Sequence, residues 1–214
     1  DPDLSGDDGW SDYHGPLDPD LVLERFCSAT LGAIADEVCL QGHLLARAYL
    51  LQVAERIGGD EAMAIGSKQL VGIAGVATKR LAATLGASPD LEGIAAVLAV
   101  HPALLPRPYV DLRLARDRSD AGALIVSIGA CAATEESDGL TWPAILVHAD
   151  DRGLHAAVQC LAPTARIERI APVDGAEASW RVTIDETGDP VPQPDEVTLT
   201  EFSTGVDFAF TRRT

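Results

Sequence analysis

The chain has 214 residues, is 47% apolar and carries a formal charge of −17. This composition excludes a disordered chain, and the missing basic footprint argues against nucleic acid or an anionic membrane as partner. No run of about 18 uncharged apolar residues is present to span a bilayer, and no signal peptide is visible.

Four cysteines (Cys27, Cys39, Cys131, Cys160) show no CxxC spacing. They read as reduced thiols of a cytoplasmic protein, not as a disulfide framework. Only two of the sixteen basic residues, Lys68 and Lys79, are lysine, a codon bias expected of a GC-rich bacterial genome. The first residue is Asp and not Met, which reads as a fragment or a trimmed chain.

Residues 1–20 are acidic and rich in Gly and Pro, the composition of an arm, interrupted by Trp10, Tyr13 and His14. Asp18-Pro19 starts a helix that Gly58-Gly59 stops. Its segment Leu31 to Val53 is apolar nearly all round, which predicts a central, covered helix. Leu31, Ile34, Val38, Leu45 and Tyr49 mark one stripe of it at helical spacing. A second helix runs from Asp60 to Leu85, where Gly66, Gly72 and Gly75 suit close packing of another helix. Ser88-Pro89-Asp90 opens a third, which His101-Pro102 ends.

The period then changes from 3.6 to 2. Tyr109–Leu114 alternates as a half-buried strand does, DRSDAG turns, and Ala123–Ile128 returns as a second strand. Residues 129–140 form a loop. Trp142–Leu161 reads as helix in two pieces, broken at Ala149-Asp150-Asp151. Arg166–Ile170 and Ser179–Ile184 are two more strands. Residues 186–196 read as a linker, and Val197–Phe210 as a closing hairpin around Thr204-Gly205. The expected fold is α+β: an N-terminal layer of about three helices packed on an antiparallel ββαββ sheet, with a C-terminal β-hairpin extension. The domain division is an arm (1–20), one α+β domain (21–185), and a linker with hairpin (186–214).

The apolar helix carries Asp36, Glu37, Cys39, Gln41, His43 and Arg47, and buried charges need partners. Asp36, His43 and Arg47 share one face and read as a self-satisfied network. Glu37 and Gln41 lie on an adjacent face, with no cation four residues either side of Glu37. A buried carboxylate so placed would have a raised pKa and could act as general acid or base. Cys39 and His43 are i, i+4, but two ligands are too few for zinc, and no metal is expected. His148 and His155 are about 10 Å apart along one helix, too far to share one. Cys131 lies in a loop after a strand, where the helix starting near Trp142 would lower its pKa and Glu135 and Glu136 would raise it. Trp142 beside Pro143 would wall a pocket. No G-x-G-x-x-G, P-loop or G-x-S-x-G is present, so no cofactor is implied.

The pieces ERIGGDEAMAIGSKQL (55–70), SIGACAATE (127–135) and DDRGLHAAVQCLAPTARIERI (150–170) give the chain a layout that resembles the L-2-amino-thiazoline-4-carboxylic acid hydrolase-like domains over roughly residues 40–185. The resemblance implies a catalytic loop cysteine, which maps to Cys131. The family's further cysteine has no counterpart, and His148 stands about there. On this reading the protein binds a small molecule. As an enzyme it would hydrolyse a small amidine, thioimidate or ester-like group with Cys131, Glu37 and His43 as catalytic groups. Gln41, Trp142 and His148 would line the substrate site. The alternative is a non-catalytic accessory or scaffolding subunit that binds a partner enzyme, or a further copy of itself, through its terminal extensions.

Overall fold

The structure, a computed structural model, describes residues 9–120 and 122–202. Among the described residues, six α-helices and one four-stranded sheet form the fold. The helices are α1 (Ser28–Ile57), α2 (Gly59–Leu85), α3 (Leu91–Ala99), α4 (Trp142–His148), α5 (Arg152–Gln159) and α6 (Asp195–Glu201). The strands are β1 (Leu112–Arg116), β2 (Ala123–Ile128), β3 (Ala165–Ile170) and β4 (Ala178–Ile184). The sheet is antiparallel throughout, in the order β1-β2-β4-β3, with Leu114 opposite Val126 and Val126 opposite Trp180. The α+β layout is as the sequence predicts. No described helix is long and apolar enough to cross a membrane.

Alternation sorts the strands into two faces. Leu112, Leu124, Val126, Ile128, Trp180 and Val182 point toward the helices and share the main core with Ile94 and Leu98 of α3, Leu146 of α4 and Leu154 and Val158 of α5. The other face carries Arg113, Ile125, Ser127 and Arg181. Trp180 is fully buried, and its indole N–H donates to Asp151 Oδ2 at 2.8 Å, tying β4 to the start of α5.

The central helix is α2, not α1. Its glycines are the reason. A Cβ on Gly66 would strike Leu50 of α1 and Ile145 of α4, one on Gly72 would strike α6, and one on Gly75 would strike Val197 of α6. The missing side chains let neighbours close on several sides, as the glycine spacing predicts. By contrast, α1 buries only His43, Ala46 and Leu50. The stripe expected to face the core faces solvent instead: Val38 is 66% exposed, Leu45 74% and Tyr49 53%. The expectation of a helix covered on most sides is therefore overturned within the single chain.

The second correction is at the C-terminus. Residues 195–201 form helix α6, where the sequence predicts the end of a linker and, from Val197, the first strand of a hairpin. Asp195 and Glu196 stand in its first turn, where the helix dipole favours negative charge, and Pro194 precedes them as N-cap. Val197 is fully buried in a small core with Val71, Val76 and Ala156. The second half of the expected hairpin, including Thr204-Gly205, Phe208 and Phe210, lies outside the described residues.

The described part of the N-terminal arm docks on the start of α1. Trp10 bridges Phe26, stacks on Tyr13 and lies under the Arg25 guanidinium, while Thr30 donates to the Ser11 carbonyl.

Candidate functional site

The inner face of α1 delivers His43 into a closed aromatic pocket. Its Nε2 lies 2.8 Å from the Leu105 carbonyl, which can only accept, so Nε2 carries the proton and donates. Nδ1 is then a bare acceptor, and it is buried with no partner. Burial lowers the His43 pKa, against the opposing pull of the Leu105 and Pro102 carbonyls. Two rings complete the pocket: Trp142, tilted at 5.2 Å, and Tyr109, edge-on at 5.4 Å. Trp142 is held at the first position of α4 by the Thr141 cap and by its indole N–H, which donates to Gln69 Oε1. The Tyr109 hydroxyl is also buried without a partner. Its pKa is raised, first by burial and then by Glu136, with Cys131 adding to the effect.

The loop 129–140 lies against this pocket. Ala133 N–H donates to the Tyr109 carbonyl at 3.2 Å, and Thr141 Oγ1 donates to the Ala133 carbonyl. Arg47 of α1 clamps the far end, with Nε 3.0 Å from Asp138 and Nη2 on both Asp138 and Glu136. Burial alone would raise the Asp138 pKa, but the bonds from Arg47 and from the Leu140 N–H outweigh it and lower it. Cys131 is half-buried at the head of the loop. Its N–H donates to Thr134 Oγ1 at 3.1 Å, and its Sγ lies 3.6 Å from the same hydroxyl.

On the opposite face of the sheet lies a cavity of about 220 Å³. Arg113, Arg116, Arg118 and Arg181 line it together with Asp117 and Asp174, over a floor that includes Ile125 and Val173. Arg181 is oriented by Asp117 and Arg113 by Asp111. Arg116 is paired with Glu92, so three of the four guanidiniums carry a carboxylate partner and Arg118 is the cation of the cavity without one among the described residues.

Compared with family models, curated proteins and solved structures, the chain matches none.

Of the residues singled out in the sequence, Cys131, His43 and Trp142 are brought to one neighbourhood around Tyr109. Glu37, Gln41 and His148 are not. Glu37 is exposed and accepts from Gln41 Nε2 at 2.6 Å; no cation stands beside it in the helix, as read, but the expected burial is absent. His148 is exposed at the C-terminus of α4. The proposed Asp36–His43–Arg47 network does not form, because Arg47 binds Asp138 and Glu136 and His43 binds Leu105. The Cys39 thiol is pushed up by burial and by Asp36. No group of three His, Cys, Asp or Glu positioned to hold a metal occurs among the described residues.

Two features were missed. Tyr109 reads as a strand residue, yet it sits in a turn: its N–H and that of Val110 both donate to the Pro106 carbonyl. The arginine cavity was within reach of the period-2 rule, since Arg113 and Arg181 occupy the outward positions of their strands.

Proposed function

We propose that this protein is a small-molecule-binding α+β domain whose ligand is a small anion held in the arginine-lined cavity. One observation carries the reading: a strongly acidic chain gathers four guanidiniums around one concavity. Arginine forks match carboxylate and phosphate oxygens in pairs. Asp117 fixes one edge of Arg181, and Arg118 is available to close over the anion. The apolar floor of Ile125 and Val173 suits a short hydrocarbon attached to the charged group. Titration calorimetry with citrate and with inorganic phosphate tests it. Binding of one or both is expected to weaken on the order of 10-fold in Arg118→Ala and in rising salt. Absence of heat with both anions at about 10 mM at low salt would remove the proposal.

A second reading, hydrolysis through Cys131, is favoured by the two orphaned polar atoms beside the loop. His43 Nδ1 is a free acceptor and the Tyr109 hydroxyl a free donor, and the Tyr109 phenol senses the charge of the Cys131 thiol. In this scheme the Cys131 thiolate adds to the electrophilic carbon of an ester, thioimidate or amidine. His43 Nδ1 takes up the thiol proton and the Tyr109 hydroxyl donates to the developing anion; the alcohol, thiol or amine leaves carrying that proton, and water then cleaves the acyl- or imidoyl-cysteine and restores the thiol. Glu37 has no part in it. Turnover of p-nitrophenyl acetate is the probe: Cys131→Ser should abolish it and Glu37→Gln should leave it intact. A wild-type rate in Cys131→Ala would eliminate the scheme.

A further inference from the structure

We propose that α1 is a self-association surface, on which a second copy of the chain packs antiparallel along the Leu31–Ile34–Val38–Leu45–Tyr49 stripe with Gly42 at the crossing. The stripe has the spacing of a core-facing helix, yet Val38, Leu45 and Tyr49 are more than half exposed, with Leu31 and Ile34 partly covered. Isolated exposed apolar residues are ordinary, but a continuous stripe along a helix face marks an interaction site. From Leu31 to Tyr49 it runs about 27 Å.

The occupant follows from the pattern itself. A two-fold axis between Gln41 and Gly42 sets Val38 against Leu45 of the second copy and Ile34 against its Tyr49. The four large apolar residues from Ile34 to Tyr49 thereby each meet an apolar partner, as an isologous contact requires, while Leu31 faces Gln52 at the rim. Gly42 sits at the crossing. A glycine inside a helix costs about 1 kcal/mol relative to alanine. The glycines of α2 at 66, 72 and 75 are explained by neighbours that a Cβ would strike, but a Cβ on Gly42 would meet nothing within 4 Å. Close approach of another helix would give that glycine its use.

Charge points the same way. Copies of a −17 chain repel, and that repulsion is least along the part of α1 without carboxylates. Between Glu37 and Glu55, the one charged residue of α1 is Arg47, and Asp138 and Glu136 neutralise it. With its one cation neutralised, this face offers nothing to an anionic membrane surface. A strip about 27 Å by 12 Å covers roughly 300 Å² of each copy, less than half of the area that a stable dimer buries per partner, so the expected association is weak and reversible.

Sedimentation equilibrium of the full chain, from about 1 to 200 μM, tests the proposal. A monomer–dimer equilibrium is expected, weakened at least about 100-fold by Leu45→Glu and by Gly42→Leu. Leu85→Glu, at an exposed apolar residue at the end of α2, should leave it unchanged. All three positions are open in the single chain, so far-ultraviolet circular dichroism should show each variant folded. A monomer at 200 μM would overturn the inference. So would a dimer indifferent to Leu45→Glu and Gly42→Leu, or a monomer that uses the stripe to bind phosphatidylcholine vesicles.

Discussion

The imidazole of His43 meets the phenol of Tyr109 edge-on, ring centroids 5.4 Å apart, and each ring keeps one buried polar atom without a partner. An unpaired buried hydroxyl costs about 1–3 kcal/mol relative to a paired one. Tyr109→Phe removes that group and keeps the ring packing. It should therefore leave stability to urea unchanged or raise it by up to about 1 kcal/mol. The same substitution should lower any Cys131-dependent turnover. A stability loss above about 1 kcal/mol would mean that the hydroxyl is paired in solution, and the orphan pair would no longer support a proton path.

Acid should destabilise the protein over two pH windows. His101 is buried, with Nδ1 accepting from Ala103 N–H and Nε2 donating to the Ala74 carbonyl. Burial pushes its pKa down to about 4, and the neighbouring His43 pushes the same way. The unfolded chain therefore binds a proton that the folded chain refuses between about pH 6.5 and 4, and stability falls as pH drops through that window. His101 alone accounts for up to about 3 kcal/mol, and His43 adds in the same direction. Asp150 acts lower. Burial would raise it, but bonds from Arg152 and Ser67 hold it down to about 2, so its contribution is lost between about pH 4 and 2. Urea titrations at pH 7, 5.5 and 4 should show the first loss, and His101→Gln should flatten it. An unchanged slope in His101→Gln would assign the loss elsewhere.

The elements that sequence periodicity defines locally came through: β2 spans Ala123–Ile128 as read, and the break between α4 and α5 falls at Ala149–Asp151. What failed depended on which face of an element is covered. Leu31–Val53 is apolar on several faces, so its pattern could not say which one turns inward. The decision came from α2, whose glycines draw α1, α4 and α6 onto it and leave room for only the His43–Ala46–Leu50 side of α1. The same blindness misplaced Glu37, whose role depended on burial. Residues 195–201 failed for another reason. DEVTLTE has alternation enough for a strand, but the pocket over Gly72 and Gly75 accepts a helix. Cys131 and His43 were both legible as candidates, whereas Tyr109, the residue that relates them, was not, because nothing local marks the hydroxyl of a half-buried turn tyrosine as enclosed.

The seat of α6 on α2 can be tested at Gly72. A Cβ there would press on the Thr200 hydroxyl and come within 2.9 Å of the Glu196 carbonyl oxygen. The carbonyl belongs to the α6 backbone and cannot rotate away, so α6 must shift and loosen Val197 from its core. Gly72→Ala should destabilise by about 2 kcal/mol even after the gain of up to about 1 kcal/mol in helix propensity. Gly32→Ala in α1 is the matched control, since a Cβ there meets nothing within 4 Å, and it should show the propensity gain alone. Thr200→Ala combined with Gly72→Ala should recover only part of the loss, because the Glu196 carbonyl stays in place. Equal urea midpoints for Gly72→Ala and Gly32→Ala would show that α6 is not seated on α2 in solution.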